Sequence, residues 1–396
     1  MLRKEWILLL LLACINFTHI MDFMIMMPLG TYLMPLFDIN PQQFSLIVSA
    51  YTFSAGAVGF TAAFFVDRFD RKKVLLTGYI GFVIGTFACA FAPSYELLVA
   101  ARILAGAFGG LIGAQVLSIV GDSIPFERRA RAMGIMMAAF SFASAIGVPT
   151  GLFLAKHFGW HAPFLVIGSL GLIIIPLVHF FVPKMRSHIV DASERPAAFS
   201  VISNILKDKN QQRALLLMVT LIVGHFSIIP FIAPYMEFNV GFTKDQVTLI
   251  YFVGGLVTMF TGPLIGIMAD KYGKLKVFTI FALLAIIPVF LMTNMPRVPY
   301  YLVLIVTAFF FIFAGGRMIP AQAMITSVVL PKQRGGFMSI NSSLQQIATG
   351  FAALFAGLII HKSGNGELQN YDYVGYIGIA LTIACIFLAR RVKAIN

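Results

Sequence analysis

Asn16, His19 and Asp22 recur at three-residue spacing inside an otherwise apolar run. On a helix that spacing places an amide, an imidazole and a carboxylate on one face. An acid in such a run can take up and release a proton, and an imidazole beside it can relay one or hold a substrate. Asp22 is the only carboxylate deep within an apolar stretch of this chain. Two cations share that kind of setting, Arg102 and Arg317. Ionisable groups are costly in lipid, so each counts as a site candidate. His225 stands in a later run where His19 stands in the first, but Ile228 takes the place of the acid. Proton chemistry is therefore expected of the first half. Catalysis is not: the chain has no nucleophile–base set, no paired carboxylates and no metal-ligand spacing, so neither an enzyme nor a metal site is expected. Cys14, Cys89 and Cys385 are isolated and read as small core residues.

The elements that must position these groups are membrane spans. The 396 residues are 59% hydrophobic and 11% charged, more apolar surface than a soluble domain of this size can hide. Apolar stretches fall near 6–30, 44–66, 74–93, 97–120, 130–155 and 163–182. A second set falls near 213–236, 246–268, 277–294, 299–328, 337–361 and 373–389. Each is long enough to cross ~30 Å of hydrocarbon as a helix. The expected fold is an all-α polytopic membrane protein with 12 transmembrane helices in two six-helix halves, 1–183 and 213–396. A cytoplasmic linker, 184–212, separates them. Within it VISNILKDKN reads either as a short helix on the membrane surface or as plain linker. The first stretch is too long for a signal-peptide core and reads as a retained span.

Lys and Arg in alternate loops number 23 on one side and four on the other. That bias predicts both termini and the long middle loop in the cytoplasm. It also accounts for the net charge of +13 without any nucleic acid. Lipids and a small-molecule substrate are the expected partners, and a single chain is the expected working unit.

The halves repeat. A loop with an acid and a basic cluster ends the second span (Asp67, Arg68, Arg71) and returns 203 residues later (Asp270, Lys271, Lys274). His19 and Pro28 match His225 and Pro234 at an offset of 206, as Gly109 and Gly110 match Gly315 and Gly316. A parallel repeat follows, with a path expected between the halves near mid-membrane.

These residues resemble the major facilitator superfamily over essentially the whole chain. The family loop motif, Gly-x-x-x-Asp-Arg/Lys-x-Gly-Arg/Lys, is matched by Gly266, Asp270, Lys271, Gly273 and Lys274. The first copy departs from it, with Ala63 and Asp70 in the glycine places. Both loop acids end helices, where the dipole disfavours an acid, so each wants a partner; a pair formed in one state only makes a gate latch, and the alternative is a topology anchor with solvated charges. Arg102 to Gly106 resembles the fourth-span motif of proton-coupled members, with Ala105 in place of the usual glutamine. Gly147, Pro149 and Gly151 resemble the fifth-span antiporter motif in the form found in bacterial sugar- and drug-efflux members. A proline among glycines there also suits ordinary tight packing.

The resemblance implies that the first and fourth helices lie side by side around a central cavity. An Asp22–Arg102 pair is then expected, either as a proton site or as a static ion pair. Gln115 and Gln322 lie on spans that line the cavity in the family; Arg317, His225, Asn341 and Gln345 join them as cavity candidates. Tyr32, Tyr51 and Tyr235 read as an outer vestibule or an interfacial belt. The implied function is proton-driven export of small organic molecules, without a cofactor, the proton gradient being the driving force. The alternatives are a proton-coupled uptake symporter on the same fold and a non-transporting receptor or lipid-handling protein.

Overall fold

A computed structural model of the chain describes residues 3–62, 64–186, 198–330 and 334–395. Twelve helices among them are long and apolar enough to cross a membrane. In chain order they are α1 (Arg3–Ile25), α2 (Pro41–Ala62), α3 (Arg71–Ala90), α4 (Tyr95–Ser123), α5 (Ala132–Phe158) and α6 (Ala162–Phe181). The second half holds α7 (Lys209–Val240), α8 (Lys244–Tyr272), α9 (Lys274–Thr293), α10 (Tyr300–Thr326), α11 (Gly336–Ile359) and α12 (Tyr371–Ala389). Lipid offers no partner for backbone N–H and C=O groups, so apolar runs of this length satisfy them as helices. Large side chains such as Phe180, Phe158 and Ile267 are left on the outer surface, where acyl chains would meet them. An even number of crossings puts the start of α1 and the end of α12 on one face, here the near face; the opposite one is the far face.

Polar residues mark where helices begin. Asp70 caps α3 through Lys72 N, Ser94 caps α4 through Leu97 N, and Thr243 with Gln246 forms a capping box on α8. Short helices fill two connections. Gly30–Leu36 follows α1 on the far face, and Ala198–Lys207 precedes α7 on the near face. Ala198–Lys207 gives most of VISNILKDKN a helical form, and its Ile205 is buried with Leu215, Met218 and Val328 of the second half.

Within each half the helices pack as expected from the repeat, α3 on α4 and α6, α9 on α10 and α12. Between the halves two seams carry the contact, α2 on α11 and α5 on α8. They are the same pair of positions under the six-span repeat. Both seams need small residues. A Cβ on Gly56 would meet Ile347 Cγ1 at 2.6 Å, and one on Gly255 would meet the Ala145 backbone at 2.4 Å. The Ala143–Gly147 turn of α5 is a π-helix. Pro149 lies four residues after Ala145 and has no N–H to return to that carbonyl, which explains the wider turn there.

Candidate functional site

Asp22 lies in the far third of α1, and Arg102 lies seven residues into α4 from the far face. The guanidinium Nη1 donates to Asp22 Oδ2 at 2.7 Å, and neither side chain has any exposure. Thr86 of α3 donates to the other carboxylate oxygen at 3.2 Å. Three helices of the first half thus meet on one acid. Two charges taken out of water need such a partner, since an uncompensated one is costly there. The fit is incomplete on the cationic side: Arg102 Nε and Nη2 have no hydrogen-bond partner. What meets that side is the Tyr51 ring, with Arg102 Cζ 4.2 Å from its centroid. A ring face attracts a cation, more strongly where water is excluded. Tyr51 is therefore neither vestibule nor belt. It is 1% exposed and packs inside the first half, because α2 turns this face toward α4.

His19 lies one turn before Asp22, between the rings of Tyr51 (6.3 Å) and Phe82 (5.7 Å), with both nitrogens unpartnered. Asn16, the third member of the face, donates to the Met136 carbonyl of α5 at 3.2 Å and so ties α1 to α5. A cavity between the halves, toward the near face, is lined by His19, Gly59, Gly113, Ser342, Ser343 and Gln346 among others. It is bounded by α1, α2, α4 and α11.

The cavity candidates of the second half fall elsewhere. Arg317 Nη1 donates to Thr382 Oγ1 of α12 at 2.6 Å, and the side chain is buried inside its own half. The expectation that it faces the cavity is corrected: α12 supplies a hydroxyl, which stabilises the cation inside the bundle. His225 is buried too, its ring parallel to Phe310 at 5.7 Å. Gln345 donates to Gln322 at 3.4 Å, joining α11 to α10. Asn341 is fully buried with both amide atoms unpartnered, and Gln115 Oε1 is likewise unpartnered.

The fifth-span glycines do their packing within the first half. A Cβ on Gly151 would meet Ile25 Cδ1 at 2.6 Å, and one on Gly147 would meet Met21 Cγ at 3.2 Å. Both neighbours flank Asp22 on α1. Pro149 sits beside the bulge that touches Gly255 of α8, so this helix links the acid-bearing helix to a seam.

Of the two repeated loops, only the second has its acid among the described side chains, and there the solvated reading is observed. Asp270 is exposed at the end of α8, with no ion pair among the described residues. Gly273 supplies the turn there with φ +96°, a conformation that favours glycine. Gly266 has open space around it, Lys271 lies over the Tyr272 ring, and Lys274 starts α9. In the first copy the Asp67 side chain and Ala63 lie outside the described residues. Arg68 is exposed, and Arg71 pairs with Asp122 at the end of α4. The departure at position 70 has its own role. Asp70 accepts from Lys72 N (3.0 Å), Met185 N (3.1 Å) and Arg186 Nε (3.4 Å). Burial alone raises a carboxyl, but these donors outweigh it and hold Asp70 below its ordinary range.

At the far face a set of contacts crosses between the halves that the sequence did not signal. Lys156 Nζ meets both oxygens of Asp245 at 2.6 and 2.7 Å. Lys244 Nζ lies 3.6 Å from the Tyr32 ring centroid, and Phe44 meets Phe231 edge-on. Among the described residues, the ring and charge contacts between halves lie in the far half or at mid-depth. The far side is closed, and the cavity lies on the near side.

Comparison with known proteins places this geometry. The model of the family described as Major Facilitator Superfamily matches residues 12–228 and 214–394. An MFS-type transporter of Bacillus subtilis, YceJ, is 26% identical over 90% of each chain. A probable sugar efflux transporter of Helicobacter pylori is 23% identical over 89% of this chain and 87% of its own. Among solved structures, a D-xylose–proton symporter superposes with a TM-score of 0.80 at 16% identity, covering 99% of this chain and 98% of that one. A bacterial homologue of the human lysosomal transporter Spinster, in an inward-facing occupied conformation, gives 0.76 at 16% identity, with the same coverage.

Proposed function

Since the chain belongs to the Major Facilitator Superfamily, we propose that it is a proton-coupled exporter of small organic molecules working by alternating access. As a transporter it is not an enzyme. The observation that carries the coupling is the Asp22–Arg102 pair, the one ion pair among the described residues with both side chains fully enclosed. A proton on Asp22 cancels its charge, weakens its hold on Arg102 and changes which packing of the halves is favoured. The half that holds the pair also holds the Gly147–Gly151 helix, whose bulge rests on the other half.

The sidedness follows from the charge bias: the near face lies in the cytoplasm of a bacterial inner membrane, with both ends of the chain there. In that orientation the far-face contacts are a closed outer gate and the cavity is open inward. The likeness to a probable sugar efflux transporter of H. pylori favours export of sugar-like compounds, and the cavity's serines and glutamine suit hydroxylated molecules. The residues of the cavity, not a cofactor, hold the substrate, and the proton gradient supplies the energy. The working unit is one chain of two halves joined by residues 184–212.

The test is a thermal-shift screen of purified protein with sugars, drugs and amino acids, then transport of each hit into vesicles with an imposed pH gradient. Export predicts that hits accumulate in inverted vesicles acidified inside, and that Asp22→Asn abolishes the accumulation. Accumulation only in right-side-out vesicles, driven inward with protons, is the outcome of an uptake symporter. Undiminished gradient-driven transport by Asp22→Asn removes Asp22 from the mechanism.

A further inference from the structure

Three polar atoms beside the buried pair have no hydrogen-bond partner: the Tyr51 hydroxyl and both ring nitrogens of His19. A hydroxyl buried without a partner costs stability, and a phenylalanine ring fills the same space without that cost. Two of the three atoms converge on one spot. A methyl group built on Gly109 would lie 2.6 Å from the Tyr51 hydroxyl and 3.1 Å from His19 Nε2. Both atoms therefore point at the gap this glycine leaves on α4. The same gap borders the cavity, because His19 and Gly109 both line it. On its other side the Tyr51 ring lies against the Arg102 guanidinium, and so against the ion pair. The polar and charged groups that face this place are Asp22 and His19 from α1, Tyr51 from α2, Thr86 and Cys89 from α3, and Arg102 from α4.

We propose that Tyr51 and His19 form the route by which a proton passes between Asp22 and the near-face cavity, and that Gly109 keeps the route open. This deepens the reading of a proton-coupled transporter and rests on it. Neither the Tyr51 hydroxyl nor His19 Nε2 has a direct partner, so water entering beside them bridges the steps. Protonated Asp22 gives its proton through water to the Tyr51 oxygen as that hydroxyl gives its own, across the gap, to Nε2 of neutral His19. The imidazolium then releases one proton to water in the cavity. Tyr51 ends as it began, neutral; Asp22, now a carboxylate, re-forms the pair with Arg102. Only O–H and N–H bonds are exchanged, and water is the sole acceptor. The reverse sequence loads Asp22 from the cavity.

The experiment needs no substrate. The full chain in lipid nanodiscs is followed by infrared spectroscopy through the C=O stretch of the protonated Asp22 carboxyl, assigned by its loss in Asp22→Asn. After an upward pH jump, Tyr51→Phe and Gly109→Ala are expected to slow the decay of this band by about a hundredfold, the low end of what a positioned proton carrier contributes. The equilibrium midpoint of the band is expected to stay where it is in the unmodified protein, since a route affects rate and not equilibrium. A residue that only packs would move the midpoint or leave the rate alone, and either result overturns the proposal. Should Gly109→Ala fail to fold, Tyr51→Phe, which removes a single oxygen, carries the test. A band that titrates normally with unchanged rates in both variants sinks the route but leaves coupling at Asp22 intact. No titrating Asp22 band at all sinks the coupling reading along with the route.

Discussion

Arg102 holds Asp22 with one nitrogen and rests against Tyr51, so the cation has two partners of different kinds within one half. The carboxylate can be neutralised by a proton; the ring cannot. Under the proposed coupling, that difference would let Arg102 stay placed while its ion pair is dissolved.

Removing one charge strands the other. Asp22→Leu or Arg102→Leu is expected to lower stability by about 3–5 kcal/mol, the usual cost of breaking a buried pair. The double variant Asp22→Leu with Arg102→Met is expected to lose much less, because neither charge remains buried. Unfolding of the purified variants in mild detergent measures all three. Additive losses would show that the two side chains do not depend on each other.

On the proposed cycle, the far-face contacts hold the outer side shut. Lys156 and Asp245 are part-exposed, so their pair is worth about 0–1 kcal/mol, and the Lys244–Tyr32 contact about 0.5–1 kcal/mol. Lys156→Ala with Lys244→Ala is therefore expected to shift the balance toward the far-side-open state by several-fold. Spin labels on the far ends of α5 and α8 report it as a growing long-distance population. An unchanged distance distribution would assign the closure to the apolar contacts around Phe44 and Phe231.

Gly255 brings α8 directly against the α5 backbone. A methyl there would come within 2.4 Å of backbone, which cannot rotate away. Gly255→Ala is expected to cost about 1–3 kcal/mol in the state seen here and to slow transport. Thermal unfolding and vesicle transport check the two effects together. Wild-type values for both would mean that the seam yields more easily than close packing implies.

Asp70 makes stability depend on acid. Its folded carboxyl is held below the ordinary value of 3.8, so its contribution is full above that pH and fades as pH falls through the lower folded value. The stability advantage of the unmodified protein over Asp70→Asn should be constant from neutral pH to about 5 and shrink below about 4. Melting curves at graded pH decide this. An advantage that grows on acidification has the wrong sign.

Much of the architecture was legible because lipid demands long apolar helices, and because the loops carry their charge on one side. The twelve spans and the two halves were readable in that way; the Asp22–Arg102 meeting was implied by the family resemblance, which sets the first and fourth helices side by side. Rotation of each helix about its axis was not. In a soluble helix the apolar stripe says which face is buried; these spans are apolar all round, so packing alone turns Tyr51 inward and Arg317 toward α12. Asp70 was missed for another reason. It stood as a flaw in a glycine pattern, and its partners Met185 and Arg186 lie in a distant part of the chain, joined to it only by folding.

The Asp22–Arg102 pair has an electrical consequence. A carboxylate and a guanidinium in contact sum to zero, so a half carrying them ion-paired crosses the membrane field unnoticed. With a proton on Asp22 the same half carries one positive charge. A potential of 100 mV, negative inside, acts on a full elementary charge with about 2.3 kcal/mol. Voltage would then drive only the proton-loaded leg of the cycle, and the return leg would run on thermal motion alone.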